Sequence, residues 1–241
     1  MASLAIFIAF SVLCCGVQAQ TDSITSEDIL RSSFDNVTDN KSTLQVIANF
    51  SVSNQLSYLN LTGNITLLSV NSYTITSQVS TGPMFVLGGI DLNLNLNVNL
   101  NDSTGQGLIS FSGNQLTINN GSYSGHSYSS YNYLFTVSNT TVTIISGTFK
   151  ASRILNVSSE TLNITGGIFA GIDPKQALKI KSGTASTIGN RASCILNMNN
   201  GTLNIMGGTF IGSDIDYVMM TTSDTEIIIG SNNSSNSPTF K

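Results

Sequence analysis

Two carboxylates at a strand-like spacing, Asp214 and Asp216, are the closest this chain comes to a catalytic pair. Residues two apart on a strand share a face, and a pair of acids so placed suits acid–base work on a glycosidic bond or a hold on Ca2+. No third ligand or base stands near them in the sequence, so they are candidates only, and neither metal nor cofactor is expected. The single histidine, His126, lies in a Ser/Gly/Tyr-rich stretch and reads as a surface residue. Zinc-ligand spacings, nucleophile elbows and phosphate loops are missing. The stretch around His126, GSYSGHSYSSYNYLF from Gly121 to Phe135, is the compositional oddity. Tyrosine offers a flat apolar ring with a hydroxyl at its rim, which suits recognition of sugar or protein. Tyr128 and Tyr131 are the candidate ligand contacts; the favoured alternative is that Tyr123 and Tyr133 fill the aromatic and strand columns and leave an ordinary loop holding Tyr128 and Tyr131.

Asn-x-Ser/Thr sequons mark candidate glycosylation at Asn36, Asn40, Asn49, Asn60, Asn64, Asn101, Asn120, Asn139, Asn156, Asn200, Asn232 and Asn233. A further one, Asn163, falls in mid-strand and is left aside; corner positions such as Asn139 and Asn200 are favoured. Glycosylation needs export, and Met1–Ala19 has the form of a secretory signal peptide. Leu4–Leu13 is an apolar run too short to span a bilayer, and Val17-Gln18-Ala19 supplies small residues for cleavage between Ala19 and Gln20. Two of the three cysteines, Cys14 and Cys15, leave with it, so the processed chain has no internal disulfide. Cys194, beside Ile195 and Leu196, reads as a small apolar residue.

The elements that must position these residues are repeats. Thr161–Gly171, TLNITGGIFAG, recurs as GTLNIMGGTFIG from Gly201, TVTIISGTFKA from Thr141 and QLTINNGSYSG from Gln115. Aligned, these give apolar columns Leu116/Val142/Leu162/Leu203 and Ile118/Ile144/Ile164/Ile205, then an aromatic column Tyr123/Phe149/Phe169/Phe210. A Gly-containing break always precedes the aromatic. Two further columns lie upstream: Ile109/Phe135/Leu155/Leu196 and Phe111/Val137/Val157/Met198. Period-two alternation is a strand signal, and glycine accepts the positive φ of a sharp corner. One coil cannot bury its own apolar face; stacked coils can, like upon like. The expected fold is all-β: a single-stranded parallel β-helix, or β-solenoid, of stacked coils of about 20–26 residues.

Residues 20–43 are expected to form an N-terminal cap segment, with Ser26 opening a short helix over the first coil. The β-helix domain then spans 44–241. Leu92–Leu100, LNLNLNVNL, reads as one long strand with Leu/Val inward and Asn outward. The roughly doubled step from Leu162 to Leu203 suggests an irregular extra coil using Leu178 and Ile180 or Ile188. Glu226–Ile229 starts a last rung with no evident cap behind it. That suggests self-association through this coil, cover by another molecule, or a fragment.

Only 9% of residues are charged, the formal net charge is −4 and the sequence pI is about 4.7. Nucleic acid, which calls for a basic face, is not an expected partner. No membrane span is expected in the mature chain.

With its LNIxGGxF rungs, Gly corners and leader, the chain resembles secreted right-handed parallel β-helix proteins of the pectin-lyase-like superfamily. Within it, the adhesin and polymorphic-membrane-protein types are most similar. Gly166-Gly167-Ile168 and Gly207-Gly208-Thr209 match the latter's GGAI repeats in part, and its FxxN repeat is missing. The resemblance implies a secreted or cell-surface protein acting without catalysis by adhesion or structural display, with a glycan or a cell-surface protein as partner. The superfamily's polysaccharide lyases and hydrolases make a polysaccharide-active enzyme the alternative. Third stands binding to ice or another surface through Thr141, Thr161, Thr202 and Thr225.

Overall fold

The computed structural model describes residues 20–37, 42–125, 132–158, 161–171, 196–198, 201–211, 219–221, 225–229 and 239–240. Strand β1 (Gln20–Ile24) and helix α1 (Glu27–Asp35) come first. The chain then coils through triplets of short strands. They are β2 (Ser42–Val46), β3 (Phe50–Val52), β4 (Leu56–Tyr58); β5 (Asn64–Ser69), β6 (Thr74–Ser77), β7 (Phe85–Gly88). Next come β8 (Asn93–Asn97), β9 (Asn99–Asp102), β10 (Ile109–Ser112); β11 (Gln115–Asn120), β12 (Ser122–Gly125), β13 (Phe135–Ser138). The later coils are β14 (Thr141–Ile144), β15 (Thr148–Lys150), β16 (Leu155–Ser158); β17 (Thr161–Ile164), β18 (Ile168–Ala170), β19 (Leu196–Met198). Last are β20 (Gly201–Ile205), β21 (Thr209–Ile211), β22 (Met219–Thr221), β23 (Thr225–Ile229) and β24 (Thr239–Phe240).

Each strand pairs in parallel with its counterpart one coil away, giving three sheets. Sheet A holds nine strands (β1, β2, β5, β8, β11, β14, β17, β20, β23), sheet B eight (β3 to β24 by threes) and sheet C seven (β4 to β22 by threes). This is a parallel β-helix, and its register is the one the repeats predict. Leu116, Val142, Leu162 and Leu203 are paired in turn, as are Tyr123, Phe149, Phe169 and Phe210. Alternate residues face in, so β14 and β17 bury Val142, Ile144, Leu162 and Ile164 and turn their threonines and asparagine outward. Phe149, Phe169 and Phe210 stack nearly parallel with centroids 4.6 and 4.8 Å apart, and Tyr123 continues the pile 5.0 Å from Phe149.

Helix α1 closes the first coil. Ser26 caps it, its hydroxyl accepting from Ile29 N. Leu30 and Phe34 are buried, and Phe34 stacks on Tyr58 at 5.1 Å. The Glu27 carboxylate accepts from the Ser53 and Asn54 amides, while Arg31 bridges Glu27 and the carbonyls of Asn54 and Gln55. The turn after β3 thereby gains partners that no earlier coil supplies.

Four expectations change. Strand pairing does not wait for Leu44: β1 lies within the N-terminal segment and joins sheet A in register with β2. Leu92–Leu100 is not one strand, because β8 belongs to sheet A and β9 to sheet B, with Val98 as the corner. Alternation survives the corner, since Leu96, Val98 and Leu100 are all buried, which is why period two hides it. No extra coil separates Leu162 from Leu203: β17 pairs directly with β20, β16 with β19 and β18 with β21. The surplus residues fall in sequence between β18 and β19, and Leu178, Ile180 and Ile188 lie outside the described residues. Two coils exceed the expected length, with a separation of 29 residues at the Asn64–Asn93 pair and 41 at Asn163–Asn204, while others, such as those pairing Gln115 with Thr141 and Thr141 with Thr161, keep to it.

Candidate recognition edge

The three connections of a coil differ in kind. Among the described residues, corners from sheet A to sheet B are tight, such as 98, 121, 145–147 and 165–167. Connections from C to A shrink to 113–114 and 139–140. Among the described residues, complete connections from B to C run 53–55, 78–84, 103–108 and 151–154. The two longest described connections, 78–84 and 103–108, therefore both lie on the edge between sheets B and C. β12 ends at Gly125 and β13 begins at Phe135, so the Tyr-rich stretch falls, in sequence, between a strand of sheet B and one of sheet C.

The described part of this edge is closely built. Backbone bonds zip successive connections together: Met84 N to Gly107 O, Leu108 N to Leu134 O, and Leu134 N to Arg153 O. Asp102, 3% exposed, organises 103–107. Its Oδ1 accepts from Thr104 N, Thr104 Oγ1 and Gly105 N, and its Oδ2 from Gly107 N at 2.7 Å. Gly107 has φ +97, and a Cβ there would stand 2.5 Å from Tyr133 O, so only glycine lets the two connections approach. The Arg153 guanidinium lies over the Tyr133 ring, 5.6 Å from its centroid. Such contacts are worth about 0.5–1 kcal/mol at exposed sites. Asn132 Nδ2 donates to Gln106 Oε1 at 3.1 Å, tying two rungs at the rim. A shallow cleft, with room for little more than a water molecule, opens among Asp102, Gly105, Gly125, Asn132, Leu134, Ala151, Ser152 and Arg153.

Tyr123 fills the aromatic column as expected, its hydroxyl donating to Asn120 O at 2.8 Å. Burial pushes that phenol well above its ordinary range. Tyr133 does not fill a strand column; it precedes β13 by two residues, and Phe135 takes the buried position. Tyr128, Tyr131, His126, Cys194, Asp214 and Asp216 lie outside the described residues, as do Ala19 and the sequons Asn40, Asn200, Asn232 and Asn233.

The remaining sequons divide by surroundings. Asn36, Asn49, Asn60, Asn120 and Asn139 are exposed, Asn139 with φ +51 at a corner. Asn64 and Asn101 sit half-buried on outward columns, their Oδ1 atoms accepting from Asn93 Nδ2 and Ser124 Oγ. Asn156 is half-buried on sheet C. Asn163 takes part in a ladder, accepting from Asn204 Nδ2 at 2.8 Å.

The proposed Thr column loses its end. Thr141, Thr161 and Thr202 are paired in sequence, but Thr225 stands opposite Gly201, and Thr202 faces Glu226. A longer outward line runs beside it: Thr21, Thr43, Thr66, Asn95, Thr117, Thr143, Asn163 and Asn204.

Comparison with protein-family models, with curated proteins and with solved structures found no match. Among the described residues no helix is long and apolar enough to cross a membrane, and no three His, Cys, Asp or Glu residues gather as metal ligands. Asp102 and its donors were missed in the sequence, although Asp-Ser-Thr-Gly-Gln-Gly at 102–107 has the composition of an Asx-type turn.

Proposed function

We propose that this chain is a secreted or cell-surface β-helix protein acting without catalysis, by adhesion or structural display, with the edge between sheets B and C as its recognition surface. The observation carrying this reading is the segregation of the connections. Sheets and tight corners repeat from coil to coil, while the two longest described connections, 78–84 and 103–108, both fall between sheets B and C. Variable loops on a rigid scaffold are the usual place for binding residues. In sequence the Tyr-rich stretch also falls between a strand of sheet B and one of sheet C, and the resemblance to adhesin-type β-helices agrees with this reading. Glycans or a cell-surface protein are the partners proposed, and glycans on exposed sequons such as Asn139 complete the picture of an extracellular protein.

The purified chain Gln20–Lys241 is expected to bind members of a glycan panel or intact cells. A Tyr128→Ala/Tyr131→Ala variant is expected to lose that binding while keeping its β-sheet circular dichroism. Binding by neither chain would remove the reading. Intact-mass analysis of the exported protein should find Gln20 first; a retained leader would contradict export by cleavage.

A second reading draws on one topological fact. β21 ends at Ile211 and β22 begins at Met219, so in sequence Asp214 and Asp216 fall between a strand of sheet B and one of sheet C. If they act on a polysaccharide, turnover should be detectable and Asp214→Asn should abolish it; an unaffected rate would end this reading.

A further inference from the structure

We infer that Asn60 carries an N-linked glycan whose first sugars lie over Leu59 and Ile90, a modification with a structural task that rests on the export in the reading above. The first ground is where exposed apolar surface falls. Among the described residues, Ile90 at 92% and Leu59 at 62% are the two most exposed large apolar side chains. Both stand on connections from sheet C to sheet A in neighbouring coils, Leu59 in 59–63 and Ile90 in 89–92. The next two such connections are Gly113-Asn114 and Asn139-Thr140, which bring no large apolar side chain to this edge. A single exposed aliphatic is ordinary on a protein surface, whereas two on adjoining connections make a patch that water meets at a cost.

The second ground is what stands in that patch. Asn60 is exposed between Leu59 and the buried Leu61, and it opens the sequon Asn60-Leu61-Thr62. Its mount is firm: Leu61 N donates to Gly88 O at 2.9 Å, and Gly89 N donates in turn to Ser112 O at 3.0 Å. A Cβ on Gly89 would stand 1.7 Å from Leu61 O, so only glycine lets the two connections touch. The Leu59 side chain leans the same way, with Cδ2 3.7 Å from where a Cβ on Gly88 would be. Neighbouring parallel strands are about 4.8 Å apart, so a sugar rooted on Asn60 begins one rung from the connection that carries Ile90.

A pyranose carries hydroxyls at its rim and C–H groups on its faces, and N-acetylglucosamine adds a methyl. Laid over Leu59 and Ile90, it takes apolar surface out of water while its hydroxyls stay wet. In the transfer, Asn60 Nδ2 bonds to C1 of the N-acetylglucosamine at the reducing end of a lipid-diphosphate oligosaccharide. The C1–O bond to the diphosphate breaks, the lipid diphosphate leaves with the electron pair, and the amide nitrogen gives up one proton. Nothing is oxidised or reduced.

The test expresses the full chain, leader included, in a secreting eukaryotic cell and maps glycopeptides of the exported protein by mass. Asn60 is expected to be occupied. Hydroxyl-radical footprinting then reads the exposure of Leu59 and Ile90. Oxidation of both should rise several-fold in Asn60→Gln and stay at the parent level in Asn139→Gln, which removes a sequon from a corner without exposed aliphatics. Circular dichroism verifies each fold, and enzymatic deglycosylation of the folded parent gives the same comparison should Asn60→Gln misfold. An exported chain with Asn60 bare overturns this inference and leaves the adhesion reading standing. So does equal oxidation with and without the glycan, the result expected if another protein covers the patch or nothing does. A chain that is not exported and carries no glycan overturns both.

Discussion

Glu27 carries more of the fold than its place on a surface helix suggests. Burial raises its carboxyl, but hydrogen bonds from the Ser53 amide, from Arg31 and from the Asn54 amide outweigh that, and the net shift is downward. A carboxylate with a depressed folded-state pKa stabilises the native state above its unfolded value of about 4.5, and the contribution disappears as pH falls through the folded value. Denaturant titrations at pH 7 and pH 3 should therefore show Glu27→Gln destabilised at neutral pH, with the gap to the parent chain narrowing in acid. A constant gap would mean the side chain acts through shape alone. Tyr123 works in the opposite sense. Its phenol is raised, so its contribution is complete below about pH 10 and declines only as pH climbs through the higher folded value. At this scale the sequence was partly legible. Ser26 with two acids behind it announced a capped helix, but Glu27's partners come from the turn at 53–54, which local sequence cannot connect to it.

The corner before the aromatic strand is the decisive element. Gly147, Gly167 and Gly208 hold φ of +123, +104 and +102 in successive coils. A Cβ on Gly167 would meet Gly147 O at 3.2 Å and Phe169 Cε2 at 3.3 Å, so strain and crowding coincide. Gly167→Ala should cost on the order of 1–3 kcal/mol, as backbone held in a sparsely populated region does. Phe149→Ala should cost more, roughly 3–5 kcal/mol, because it opens a cavity in the aromatic pile where the surrounding coils cannot collapse. Urea midpoints rank the two; a Phe149→Ala chain as stable as its parent would show that the stacked rings are not what binds the coils. These columns were readable because side-chain identity repeats from one rung to the next. The corner at Val98 was not, since inward and outward residues alternate through it undisturbed.

Over the whole molecule, stacking converts sequence distance into adjacency: Asn163 and Asn204 touch across 41 residues because β17 pairs directly with β20. Connections from B to C can lengthen because sheets A, B and C pair independently of them. Periodicity revealed the stack but not this sorting, which depends on where each coil bends. The candidate edge was thus half legible: the Tyr-rich stretch stood out by composition, while Asp102, Tyr133 and Arg153 have ordinary spacings and meet only in three dimensions. The central claim is that sheet B holds this register beside the edge, and a cross-link tests it. In a Cys194→Ser background, Ser124→Cys and Lys150→Cys occupy paired positions on neighbouring strands. Parallel neighbours stand about 4.8 Å apart, within disulfide reach. Ser124→Cys with Ala170→Cys is separated by one further rung. Rapid disulfide formation in the first pair and none in the second is the expected result. A bond in the second pair with the first left reduced would contradict the register, and with it the edge on which the functional reading is built.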